Sequence, residues 1–172
     1  MATGTFRIRR GVSGTTTTAY RFRVKFAPDP RSLWRDIVVG GDRTVDGVQT
    51  TNNATMGLDQ GHLWLFGTDE DYWNSDVTYQ CPQQFENEPT PSVLGFDEEI
   101  HDAAETTVDD LVDRLDLAER DRVCYLYDYG DEWRFYAIPK EADSGASGDR
   151  APEVVDAKGD PVEQYPPADE GV

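Results

Sequence analysis

Apolar and basic residues alternate strictly along Tyr20-Arg21-Phe22-Arg23-Val24-Lys25-Phe26. The period of two predicts a strand over 19–27, with Tyr20, Phe22, Val24 and Phe26 turned inward and the basic side chains outward. Pro28-Asp29-Pro30 reads as a turn and the β-branched run at 33–39 as a second strand, so the two form an antiparallel pair. Gly40-Gly41-Asp42 closes that strand. Thr44 to Met56 reads as a modest helix with Val45, Val48, Asn52 and Met56 along one side, weakened by Gly47. His62 to Gly67 and Val77 to Gln80 are the next expected strands, joined by an acidic connection whose Tyr72 and Trp73 fold back on the core. Residues 81–97 are rich in proline and acids and show no period. Val108, Leu111, Val112 and Leu115 then recur at helical spacing behind a cap-like Thr107 and Asp110. Arg122 to Tyr129 and Trp133 to Ile138 read as a hairpin whose Gly130-Asp131 pair suits positive-φ turn positions. From Lys140 onward the pattern is lost, with Val154-Val155 as a docking point. These elements describe an α+β domain with a mostly antiparallel sheet and two main helices on one face.

Length, charge and cysteine content narrow the class. At 172 residues one domain is expected: a flexible basic segment over 1–18, the α+β unit over 19–139 and an irregular acidic tail over 140–172. Met1 to Tyr20 has no apolar run, and no stretch has the roughly 20 apolar residues of a membrane span, so a cytoplasmic, membrane-free protein is expected. Cys81 and Cys124 lack a metal-ligand spacing and are expected as reduced thiols. The net charge is -18, and Lys25, Lys140 and Lys158 are the only lysines. Such an acidic, lysine-poor surface resembles that of a halophile, whose self-repulsion is screened where the Debye length falls to about 3 Å in molar salt.

The charge is uneven. Met1 to Arg35 holds seven arginines and Lys25 against Asp29 alone. A nucleic-acid surface would therefore draw on Arg7, Arg9 and Arg10, extended by Arg21, Arg23 and Lys25 on the outer strand face. The acidic remainder opposes phosphate, and molar salt removes most of the counterion-release term.

Leu33-Trp34-Arg35 after a strand, a helix ending in Met56-Gly57-Leu58, then His62-Leu63 with Phe66, and finally Tyr127-Asp128-Tyr129-Gly130-Asp131-Glu132-Trp133 follow one another in an order that resembles the plasmid ORF-three-like family. That family was named from a root-inducing plasmid and is similar to a passenger protein of certain insertion sequences. The likeness spans about residues 19 to 139, with a looser match around Tyr165-Pro166-Pro167. It implies a roll-like α+β fold and carries no established biochemical activity. The chain departs from the pattern where members often have His-Leu-His, a His two residues past the hairpin Trp, and a Cys before the tail Pro-Pro: Trp64, Phe135 and Tyr165 stand there. A mechanism built on those groups does not transfer.

The remaining polar candidates are Arg35, His62, Asp128, Asp131 and Trp133, with Asp59 and Glu132 beside them. An imidazole with a carboxylate can form an acid-base pair or part of a metal site. One His among 34 acids meets carboxylates by chance, however, and transition metals favour more nitrogen or sulfur ligands. In the alternative reading Asp128 accepts backbone donors in the hairpin or pairs with Arg35 or His62, locking elements together. The tryptophans are expected mainly in the core, and His101, beside Glu98 and Glu99, on the solvated surface. The leading expectation is a non-enzymatic binding or interaction domain associated with plasmids or mobile elements. It would take an unknown protein or small ligand, need no cofactor or metal, and exist as a monomer or weak oligomer. Nucleic-acid binding and a metal-dependent hydrolase using His62 with Asp128 or Asp131 are the alternatives.

Overall fold

A computed structural model describes residues 16–69, 74–85, 99–118, 121–147 and 151–164. Among these described residues eight strands form one sheet: β1 (Thr16–Phe26), β2 (Trp34–Gly40), β3 (Trp64–Gly67), β4 (Val77–Gln80), β5 (Glu99–Asp102), β6 (Val123–Tyr127), β7 (Trp133–Ser147) and β8 (Glu153–Lys158), in the order β5-β4-β3-β6-β7-β1-β2-β8. Every pairing is antiparallel except β4 with β5. Two α-helices, α1 (Val45–Met56) and α2 (Val108–Leu115), complete an α+β fold.

The alternation in β1 does what its period dictates. Tyr20, Phe22 and Val24 are buried beneath the helices, while Arg21, Arg23 and Lys25 lie half-buried on the opposite face. The main core joins those residues to Ile37 and Val39 of β2, Val45, Val48 and Met56 of α1, Leu111 and Val112 of α2, and Phe66, Tyr125 and Phe135 of the central strands. A smaller cluster of Leu65, Cys124 and Leu126 occupies the other face, packed with Tyr129 and Tyr136. Both cysteines are buried and free of disulfide. Among the described residues no helix is long and apolar enough to cross a membrane.

Each helix starts where a threonine side chain accepts an early backbone N–H: Thr44 from Gly47 and Thr107 from Asp110. These two caps also bridge one another, and Val45 N and Val108 N donate to Thr106 O and Arg43 O. The two helix starts are thereby fixed side by side. At its end, α1 stops on Gly57 at φ 87°, where a Cβ would come within 2.6 Å of Val162 O.

The structure departs from the sequence reading in several places, among them the strand starts: β1 begins at Thr16, inside the segment expected to be flexible, and β3 at Trp64, two residues after His62. Lys140 to Ser147, expected to be irregular, prolong β7 alongside β1, and Glu153 to Lys158 form β8 against β2. β8 is an edge strand and largely exposed, so it lacks the alternation that marks a half-buried strand. Glu99 to Asp102 form β5, four half-buried residues without alternation, in a stretch the sequence left unassigned. In the β6–β7 turn the left-handed positions are Asp128 (φ 71°) and Glu132 (φ 55°), not Gly130 and Asp131. The connection is five residues long, and Asp128 opens it by accepting the Glu132 N–H on its carbonyl at 2.6 Å. Arg7, Arg9, Arg10, Tyr72, Trp73 and Tyr165 lie outside the described residues.

Candidate functional site

The β6–β7 hairpin carries the residues singled out by the sequence. Asp128 is 8% exposed, and its Oδ1 accepts the Gly130 and Asp131 N–H groups at 3.0 and 3.3 Å. Its other oxygen stands 3.7 Å from His62 Nε2, beyond hydrogen-bond reach. The His62 ring meets Tyr127 edge-on at 5.8 Å, and its backbone N–H donates to the Tyr127 hydroxyl at 3.2 Å. That hydroxyl in turn donates to Asp59 Oδ1 at 2.5 Å. Asp59 Oδ1 also receives Gly61 N and Gln164 Nε2, while Asn53 Nδ2 donates to the Asp59 carbonyl. One step deeper, the fully buried Tyr125 hydroxyl donates to Asn53 Oδ1 at 2.6 Å and accepts from Gln49 Nε2 at 2.8 Å. Burial lifts the Tyr125 and Tyr127 hydroxyls well above the ordinary phenol range, so both stay protonated donors. The result is a continuous polar chain from α1 to the hairpin in which each hydroxyl has its partners.

The other expected members of this cluster are engaged elsewhere. Arg35 is 4% exposed and donates to Thr55 Oγ1, Trp34 O and Lys158 O, each at 2.9 Å. It ties β2 to α1 and β8 and makes no hydrogen bond to His62 or Asp128. Burial lowers its pKa, partly offset by Asp160. Trp133 is half-buried against Phe26 at 6.1 Å, with its indole N–H buried and unpartnered, and Asp131 is exposed on the turn. Among the described residues no three His, Cys, Asp or Glu side chains are grouped to hold a metal ion.

On the outer sheet face, Arg21 and Arg23 both bind Asp36, whose side chain is fully buried, with donor distances of 2.7 to 3.1 Å. Arg23 also covers Trp34 at 3.7 Å, a cation–π contact. Burial raises the Asp36 carboxyl, and the bonds and charges of Arg23 and Arg21 outweigh it, leaving the group below the ordinary aspartate value of 3.8. Asp36 thus offsets one of the two positive charges, and Asp156 of β8, 4.0 Å from Arg21, faces the other.

A second polar region lies between β4, β5 and α2. It is an open groove of ≈ 530 Å³ lined by Tyr79, His101, Glu105, Thr106, Asp110, Asp113 and Arg114. Parallel pairing of β5 with β4 sets His101 opposite Tyr79, and the rings stack at 5.0 Å and 19°. His101 is thus half-buried on a tyrosine, in contrast to the solvated position expected from its acidic neighbours. Glu99 Oε2 bonds His101 Nε2 at 2.7 Å and receives Arg114 Nη1 at 2.6 Å. The His101 bond and the Arg114 charge hold the Glu99 carboxyl below its usual range. Tyr79 is 1% exposed, and its hydroxyl has no hydrogen-bond partner. Burial pushes that hydroxyl up to about 12, with Arg114, Glu99 and Asp110 as the charges acting on it. The hydroxyl itself is shielded from solvent.

The sequence held one sign of this groove: Asp110, Asp113 and Arg114 fall at i, i+3 and i+4, on the α2 face opposite Leu111 and Leu115. Nothing local linked that face to Tyr79 and His101, because the link is a parallel strand pairing across the undescribed connection after β4.

No curated protein matches this chain. Its fold is similar to the crystal structure of a protein of unknown function from Methanosarcina mazei, with a TM-score of 0.62 and 16% identity over 87% of this chain and 74% of that one. The family model described as plasmid pRiA4b ORF-3-like protein matches residues 18–171, taking in β8 and the tail that docks through Gln164, and the chain belongs to that family.

Proposed function

We propose that this chain is a non-enzymatic binding domain that receives its ligand in the groove between β4, β5 and α2. The observation that carries this reading is the open polar groove of ≈ 530 Å³ that His101, Glu105, Asp110 and Arg114 line beside the Tyr79–His101 stack. The unmet Tyr79 hydroxyl next to it costs the fold roughly 1–3 kcal/mol. With its pKa raised to about 12, the Tyr79 hydroxyl stays protonated at neutral pH and does not serve as a base. His62, by contrast, belongs to a network whose bonds already join the hairpin to α1, and the Asp128 carboxylate bonds the N–H groups of its own turn. The plasmid in the family's description supports placing this binding role with plasmids or related mobile elements.

The test is an NMR screen of the full chain with small amines, carboxylates and neutral amides. The expected result is movement of the Tyr79 and His101 resonances, with the compounds recovered unchanged. Movement concentrated on His62 and Asp128, or chemical conversion of a compound, overturns the proposal.

A further inference from the structure

We propose that the outer face of the sheet, turned away from the helices, binds a single strand of nucleic acid at its Trp34 end. Register sets four side chains in one row across four strands: Tyr136 of β7 lies opposite Lys25 of β1, Lys25 opposite Trp34 of β2, and Trp34 opposite Lys158 of β8. Residues paired in this way share a face, and Lys25 lies on the outer one with Arg21 and Arg23. Aromatic ring and cation therefore alternate. Two further cations lie on the rings: the Arg23 guanidinium is 3.7 Å from the centre of Trp34, and that of Arg122 is 4.4 Å from the centre of Tyr136. Tyr136, Lys25 and Trp34 are half-buried and Lys158 and Arg122 are exposed, so the row is open to solvent.

The charges of this face are unevenly met. Asp36 and Asp156 face Arg21 and Arg23, whereas the Lys25 and Lys158 ammonium groups have no ion-pair partner among the described residues. The face's other acids on these strands, Glu141 opposite Arg21 and Glu153 opposite Val38, lie toward its far end. A positive surplus thus remains around Trp34 on a chain of net charge -18. In about 0.1 M salt the Debye length is about 10 Å, so acids elsewhere are screened while a phosphate touching the lysines is not. The rings decide which polyanion fits. An acidic peptide needs only the cations, but rings and guanidinium groups together are surfaces on which bases stack. Trp34 and Tyr136 stand two strand spacings apart, about 10 Å, against a step of roughly 3.4 Å between stacked bases. A single strand can splay its bases to reach both rings; a duplex keeps them stacked inside.

A labelled oligothymidylate, the corresponding duplex and a polyglutamate peptide are each titrated with the full chain at about 0.1 M and about 0.3 M salt, with anisotropy and tryptophan emission as readouts. Saturable binding of the single strand with quenched emission is expected, and weaker binding of the duplex and of polyglutamate. Trp34→Leu is expected to weaken the single strand about tenfold, the worth of one stacked base. Tyr136→Leu is the second ring variant should Trp34→Leu fail to melt cooperatively. Lys25→Gln and Lys158→Gln are each expected to lower the slope of log affinity against log salt by about 0.7, one phosphate contact on a single strand. Equal affinity in wild type and in the folded ring variants would reduce the effect to diffuse attraction and overturn the inference. Tighter binding of the duplex or of polyglutamate gives the face to another polyanion and overturns it too. So does a single strand that fails to saturate.

Discussion

Two tyrosine hydroxyls, both buried, divide the molecule into two kinds of polar region. Tyr125 lies between Gln49 and Asn53 with its donor and acceptor roles filled, whereas Tyr79 lies under the β4–β5–α2 groove with neither filled. Burial raises both hydroxyls, so pKa alone does not tell them apart. Partnership does. A satisfied network holds a fold in one arrangement, and an unsatisfied group beside open space is a cost the fold carries without structural return. The histidines divide in the same way. His62 caps a completed chain of bonds, and His101 stacks on the one groove tyrosine whose hydroxyl is unmet.

The sharpest way to break this contrast is Tyr125→Phe. It leaves Gln49 Nε2 and Asn53 Oδ1 buried without the partner they share, and is expected to destabilise the fold by about 3 kcal/mol in urea unfolding, with an unchanged slope. A loss under about 0.5 kcal/mol would mean that the network does not hold α1 to the sheet.

Asp128→Ala is the next largest. It strips the acceptor from the Gly130 and Asp131 N–H groups and puts alanine at φ 71°, for a combined loss of about 2 kcal/mol. Asp128→Asn keeps a side-chain acceptor and a residue tolerant of the left-handed region, so its melting should stay close to wild type. Equal destabilisation by both substitutions would shift the role of Asp128 from the turn to its negative charge beside His62.

How far the sequence disclosed these two regions follows from where their information lies. Period-two alternation in β1 and helical spacing in α2 are local properties, so both elements and their inward faces were legible. Asp128 was legible as a turn residue, although the left-handed φ fell to it instead of Gly130, because the five-residue connection begins two residues earlier than the tight turn at Gly130-Asp131 would. β5 and β8 were not legible: half-buried on both sides or lying at an edge, they carry no alternation, and pairing alone defines them. The groove depends on β5 and so was hidden as well. His101 read as a surface residue because its sequence neighbours are acids, while the neighbour that matters is Tyr79, more than twenty positions away and brought alongside by parallel register. Arg35 was visible as a buried charge in need of a partner, but the carbonyl that it finds at Lys158 belongs to a strand the sequence did not reveal.

The smallest expected effect is opposite in sign. Tyr79→Phe keeps the ring on His101 and removes only a hydroxyl that has no partner, so stability is expected to rise by about 1 kcal/mol while Tyr125→Phe lowers it. The two substitutions are chemically identical and both sites are buried, which cancels the loss of phenol hydration from the comparison. The remaining difference is whether neighbours depended on the oxygen. A hydroxyl retained at a cost to the fold fits a binding site, where stability is commonly given up for recognition. Denaturant midpoints measured side by side decide the matter: a drop in Tyr79→Phe comparable to that in Tyr125→Phe would show that the Tyr79 oxygen is bonded in solution, and the distinction between the two regions would disappear.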